Sequence, residues 1–202
     1  MTATASLGTV LEGEGLELRA WDEGLLAQMA EWGERGFPYA GFDLGYLRDP
    51  EDGRRALEFA LARGPHRHFV ACEGDVAVGR VSVNVEDRAG LYLWAVHVPP
   101  EHEGRGVARR MVRVLCRWLQ ASYPGKEILL ATNTFAEAAH RAYRAAGFEV
   151  TETRWQTDST LSAVLFRMPP EERDPIARHL RFDKGRWEVR VYVMKLRAGR
   201  GD

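Results

Sequence analysis

Residues 96–109 read Val-His-Val-Pro-Pro-Glu-His-Glu-Gly-Arg-Gly-Val-Ala-Arg, and this stretch decides how the chain folds. An apolar strand runs into Pro99-Pro100, which cannot continue it. A glycine-bearing turn, Glu103 to Ala108, follows and opens directly into a helix. Gly104, Gly106 and the small Ala108 let the backbone approach a ligand closely. The first turn of a helix leaves several N–H groups without internal partners, and the helix dipole adds positive potential there. Such an end favours a phosphate or pyrophosphate, and Arg105 and Arg109 add charge of the same sign. Alone, the segment reads either as an anion cradle or as a strand-to-helix turn that uses glycine for steric reasons. It is not a P-loop, since no Gly-Lys-Ser/Thr follows. It is not the Gly-x-Gly-x-x-Gly dinucleotide fingerprint, because position 109 is Arg.

Downstream, Ala108–Ser122 is an amphipathic helix, with Met111, Val112, Leu115, Cys116, Trp118 and Leu119 set against Arg109, Arg110, Arg113 and Arg117. Pro124-Gly125 ends it. A buried-type strand, Ile128–Thr132, precedes a second helix, Phe135–Ala146, closed by Gly147. Phe148–Trp155 and Trp187–Leu196 read as strands. Upstream, His68–Glu73, Val76–Glu86 and Leu91–Val98 form an antiparallel meander, joined by a Gly74-Asp75 turn and a short polar link at Asp87–Gly90. Before it lie a strand at Leu16–Ala20 and helices at Leu25–Trp32 and Glu51–Arg63. Residues 33–53 are a loop rich in Gly, Pro and aromatics. It is either pinned to the core by its rings or an aromatic lid over an acceptor site. Residues 157–186 carry an apolar piece (Leu161–Met168), a Pro-Pro break and a charged piece, read as an insertion in a core of 16–155 and 187–196. This order implies a single α/β domain over 1–202, with a mixed, mostly antiparallel central sheet flanked by helices and a crossover after the meander.

With 202 residues, 28 basic against 29 acidic, the chain offers no electrostatic reason to bind nucleic acid or an anionic membrane. No apolar run nears the roughly 20 residues of a membrane span. Residues 1–10 lack a basic and apolar leader pattern, so the expected location is cytoplasmic. Cys72 and Cys116 have neither metal-ligand spacing nor a nucleophile's neighbours and read as reduced core thiols. His66 and His68 alternate at a strand start, but two histidines without a third ligand make no metal site, and none is expected.

The run from Val96 to Ala108 resembles the acyl-CoA motif of the GNAT superfamily of N-acetyltransferases, whose core is Gln/Arg-x-x-Gly-x-Gly/Ala. Ala139-His-Arg-Ala-Tyr143-Arg-Ala-Ala-Gly147-Phe148 is similar to the family's second motif, Ala-x-x-x-Tyr-x-x-x-Gly-Phe. The two follow each other in the family's order, one helix and one strand apart. The resemblance implies acetyl-CoA as co-substrate and a small-molecule or peptide amine as acceptor, with direct transfer in a ternary complex. Val96, His97 and Val98 would present backbone groups to the pantetheine arm. Gly104, Arg105, Gly106, Val107, Ala108 and Arg109 would hold the pyrophosphate, and Tyr143 would protonate the departing thiolate.

Three positions depart from the family. Glu103 stands for the usual Gln or Arg. Ala136 stands where many members carry Asn, with Asn133 the nearest substitute. Tyr92 and Ala131 occupy positions where some members carry a basic carboxylate. That leaves Glu86, Tyr92 or a water chain as proton acceptor, with Glu86 also readable as a solvated strand end. The alternatives are another acyl donor, or a non-catalytic acyl-CoA-binding module. The insertion 157–186 is expected to cap the acceptor side or to form a homodimer contact.

Overall fold

The arginine-bearing helix α3 (Val107–Ser122) buries Val107, Met111, Val112, Val114, Leu115, Cys116 and Leu119, the stripe that its 3.6-residue period dictates. It lies on a sheet whose inner face supplies Val78, Val81, Val83, Leu91, Leu93, Ile128 and Leu130. This arrangement is seen in a computed structural model that describes residues 10–39, 43–62, 64–157 and 159–197. In chain order the other elements are β1 (Leu11–Gly13), β2 (Leu16–Arg19), α1 (Glu23–Ala30), α2 (Pro50–Leu61), β3 (His66–Glu73), β4 (Val76–Asp87) and β5 (Gly90–His97). After α3 come β6 (Ile128–Asn133), α4 (Glu137–Ala145), β7 (Phe148–Thr157), α5 (Ser159–Arg167), α6 (Pro170–Arg173), β8 (Leu180–Asp183) and β9 (Arg186–Leu196).

The strands form one sheet in the order β1-β2-β3-β4-β5-β6-β9-β7, with β8 also paired to β9. Among the described strands only β5 and β6 pair in parallel, as the crossover through α3 requires. Their pairing stops early, at Leu91–Leu93 against Ile128–Leu130. The cause lies in β5. Arg80 pairs with His97 but Ser82 pairs with Trp94, so β5 carries one extra residue. Ala95 takes up the kink at φ +50°. A left-handed alanine costs about 1–2 kcal/mol, and a bulge of this kind bends its strand. Beyond Leu93 the two strands therefore part, and a notch opens in the middle of the sheet.

On the opposite face, α1 and α2 cover Val70, Cys72 and Ala77, with Trp21, Trp32, Leu44 and Leu47 between them. Asp22 and Asp49 cap the two helices, Asp49 accepting from Glu51 N at 2.9 Å and Asp52 N at 3.0 Å. The described fold is the expected mixed α/β sheet, with some boundaries moved. α1 ends at Ala30 because Trp32 turns inward and donates its indole N–H to Ala77 O at 3.2 Å. α4 starts at Glu137, since Ala136 N bonds back to Asn133 O in a turn. β1 is too short to show a periodic pattern. Within 157–186, Leu161 and Leu165 of α5 pack on Val189 and Val191, and β8 joins the sheet. Of the aromatic loop, residues 40–42 lie outside the described residues. Both cysteines are buried and free, and burial pushes their thiols up, to about 11 for Cys72 and about 12 for Cys116. Among the described residues no helix is long and apolar enough to cross a membrane.

Candidate active site

The notch between β5 and β6 divides into two adjoining cavities. The larger, about 720 Å³, is lined by Val96, Val98, residues 102–109 and the α4 residues Ala138, Ala139, Arg141, Ala142 and Tyr143. The smaller, about 480 Å³, runs between the separated strands, from Tyr92–His97 on one wall to Leu130–Asn133 on the other. Arg35, Val96, Ala139 and Tyr143 line both.

The larger cavity has the chemistry of an anion site. Gly104 and Gly106 sit at φ +72° and +71°, where an L side chain is strained, and Gly106 is the N-cap of α3. The open N–H groups of the helix start thus face the cavity without a side-chain cap. Arg109 is exposed and has no partner among the described residues. The same holds for Arg141, which residue spacing did not single out because it lies on the next helix. Arg105 is partly committed. It pairs with Glu73 and donates to His102 Nδ1 at 2.8 Å, while Glu73 also holds Arg110 at 2.6 Å. These two arginines keep the Glu73 carboxyl below its ordinary range, Arg110 contributing most.

Glu103, the misfit by charge, is neutralised. Arg35 pairs with it and also donates to Val98 O. One arginine from the loop after α1 thereby ties that loop to the β5–α3 turn. No sequence signal marked Arg35, since the contact spans distant segments. The loop continues across the notch, with Tyr39 edge-on to Phe135 at 5.7 Å. On the far side Thr134 meets His179 at 2.7 Å, so the 157–186 stretch closes that end.

The expected site residues separate as follows. Val96 lines both cavities, and Val98 with residues 104–109 lines the larger. Asn133 lines the smaller cavity and not the larger, and its carbonyl holds His140 Nε2 at 3.0 Å. His97 is 2% exposed and its ring stacks on Trp32 at 5.5 Å, so its imidazole belongs to the sheet. Burial pushes it down to about 3, with Arg80 and Arg35 adding to the effect. Tyr143, in α4, opens on both cavities while its ring packs near Phe148. Burial raises its phenol above the usual range, with Tyr92 pushing the same way. Tyr92 lines the smaller cavity and is also raised by burial, opposed by Arg154 and a backbone hydrogen bond at Ala131. Glu86 is exposed at the far end of β4 and lines neither cavity, which removes it as the proton acceptor. His66 and His68 stand among Phe59, Trp21 and Trp94, with His68 Nδ1 on Ser82 Oγ at 2.8 Å.

Comparison with known proteins matches this geometry to one group. Residues 26–148 match the family model described as the acetyltransferase (GNAT) family. The N-alpha-acetyltransferase RimI of Mycobacterium tuberculosis (strain ATCC 25618 / H37Rv) is 30% identical over 115 residues, covering 55% of this chain and 70% of that protein. An aminoglycoside N(6')-acetyltransferase type 1 of Stenotrophomonas maltophilia is 29% identical over 142 residues, 66% and 86% of the respective chains. Among solved structures, the microcin C7 self immunity acetyltransferase MccE, in complex with acetyl-CoA and AMP, superposes with a TM-score of 0.58 at 11% identity, covering 90% of this chain and 92% of that one. With the split sheet, the glycine turn and the tyrosine of α4 in place, the chain belongs to the acetyltransferase (GNAT) family and is an acetyl-CoA-dependent N-acetyltransferase.

Proposed function

We propose that the protein moves an acetyl group from acetyl-CoA straight to a primary amine while both are bound. The observation that carries this reading is that the two cavities meet at Val96 and Tyr143. The coenzyme's pyrophosphate lies on Gly104–Arg109, and its pantetheine arm runs along the unpaired edge of β5 toward Val96. The backbone N–H of Val96 polarises the thioester carbonyl. The amine enters from the smaller cavity and attacks the carbonyl carbon. The C–N bond forms, the C–S bond breaks, and Tyr143 passes its proton to the thiolate. The proton lost by the amine leaves through water in the cavity lined by Tyr92 and Thr132, since no carboxylate lines it among the described residues. Neither cysteine lines either cavity, so no thiol stands ready to carry the acetyl group.

Initial-rate kinetics with both substrates varied test the order of events. Intersecting reciprocal plots are expected, and parallel plots would establish an acetyl-enzyme instead. The cradle has its own test. Arg109→Ala removes a solvated cation with no protein partner, so folding stability should stay within about 0.5 kcal/mol. Affinity for acetyl-CoA, read by calorimetry, should fall about tenfold, the usual worth of a charge-assisted hydrogen bond. Unchanged affinity would move the pyrophosphate away from α3.

A further inference from the structure

The smaller cavity holds a cation that the acetyl-transfer scheme does not use. Arg80, on β4, lines it. Its Nε is buried without a hydrogen-bond partner, and no ion pair reaches its guanidinium among the described residues. Arg35, the other arginine of this wall, is already held by Glu103 and Val98 O. Three more buried atoms of residues lining this cavity lack partners, Arg35 Nε, Trp94 Nε1 and His97 Nδ1. No Asp or Glu lines this cavity among the described residues. Glu103 belongs to the larger cavity, and Glu103 and Glu137 reach Tyr39 through electrostatics alone.

An enclosed guanidinium with no counter-charge is costly, and buried polar groups are almost always satisfied. A ligand that brings an oxyanion supplies what is missing. Arginine's planar fork matches a carboxylate in two parallel hydrogen bonds, and the indole N–H is a further donor. We propose that the acceptor is an amine that also carries a carboxylate, an amino-acid-like molecule whose carboxylate docks on Arg80 while its amine faces Val96 and Tyr143. The volume of about 480 Å³ falls within the range of small-molecule sites.

The same charges bear on the amine. A positive wall disfavours the ammonium form and favours the neutral amine, which is the nucleophile. This reduces the demand on a protein base at a site that lacks a carboxylate. A polycation receives only the repulsion, whereas a zwitterion offsets it through its carboxylate.

The inference rests on the smaller cavity being the acceptor site, so the experiment separates the two ideas. Glycine, glutamate and other α-amino acids, their carboxamides, the corresponding simple amines and spermidine are compared as acceptors with acetyl-CoA held saturating. The amino acids should exceed their carboxamides in kcat/KM by about tenfold or more, the effect falling mainly on KM. In Arg80→Gln that ratio should collapse toward one, and in Arg80→Lys it should partly return. Calorimetry with acetyl-CoA on each variant checks that the protein is folded and the donor site intact. Preference for carboxamides or spermidine, or an equal loss for every acceptor in Arg80→Gln, would overturn the carboxylate assignment and leave acetyl transfer standing. Failure of the wild type to bind acetyl-CoA would overturn both.

Discussion

Tyr143→Phe is expected to lower kcat by about 100- to 1,000-fold, the usual contribution of a positioned general acid. Tyr143 lines both cavities, while the residue is only 7% exposed and its ring packs near Phe148. Phenylalanine keeps that packing, so the fold and the coenzyme cradle are preserved. Affinity for acetyl-CoA should stay within about threefold, since the proton is needed only as the thiolate departs. Burial raises the phenol above its ordinary value and holds it protonated, so wild-type kcat should show no loss from this group at neutral or mildly alkaline pH. Thiol release followed by a chromogenic reagent measures the rate, and calorimetry measures the affinity. Turnover within threefold of wild type would reassign the proton to Tyr92 or to water. A parallel loss of acetyl-CoA affinity would make Tyr143 a structural residue.

A second large effect concerns acid stability. His68 is pushed down to about 4 by burial, then by His66, Arg80 and Arg67. His97 is pushed down to about 3 by burial, then by Arg80 and Arg35. Both are neutral when folded, and both take up a proton on unfolding once the pH falls below the ordinary 6.5. The unfolded chain then binds more protons, so stability is fully present above that value and declines as pH drops toward the folded values. By pH 4 the loss is about 3 kcal/mol for each histidine. Against a typical stability of about 5–15 kcal/mol, that is a large fraction of the whole. Urea unfolding at pH 7 and pH 4 should show it. Imidazole NMR signals from both rings should not titrate between pH 7 and 5. A ring titrating near 6.5 would show that it is solvated, and would remove its share of the acid lability.

How much of this could be read from the residues depends on how far apart the interacting groups lie in the chain. The glycine turn and α3 were legible, because their signals are contiguous: a strand stop at two prolines, two glycines, then a helical apolar stripe. The motif around Tyr143 was equally local, within one helix and its glycine stop. The meander was legible from its turn and its change of period. The role of Glu103 was not. Its charge opposes a phosphate site until Arg35, 68 positions earlier, is seen to neutralise it. The notch itself was hidden, since neither glycine nor proline stands at Ala95 to announce the extra residue, and the shift of β5 against β4 shows only once the two strands pair.

The sequence alone therefore determined the family, the mixed sheet and the glycine turn proposed to hold the coenzyme, since those depend on short spacings along one or two elements. Only the tertiary structure decided which side chains line the two cavities. Arg35, Arg80, Trp94 and Arg141 come from separate segments, and whether a charge is paired, solvated or left open depends on neighbours that the chain brings together only when it folds. For residues 96–109 that meant a cradle already visible in the spacing; for Arg80 it meant an unpaired guanidinium that no spacing could reveal.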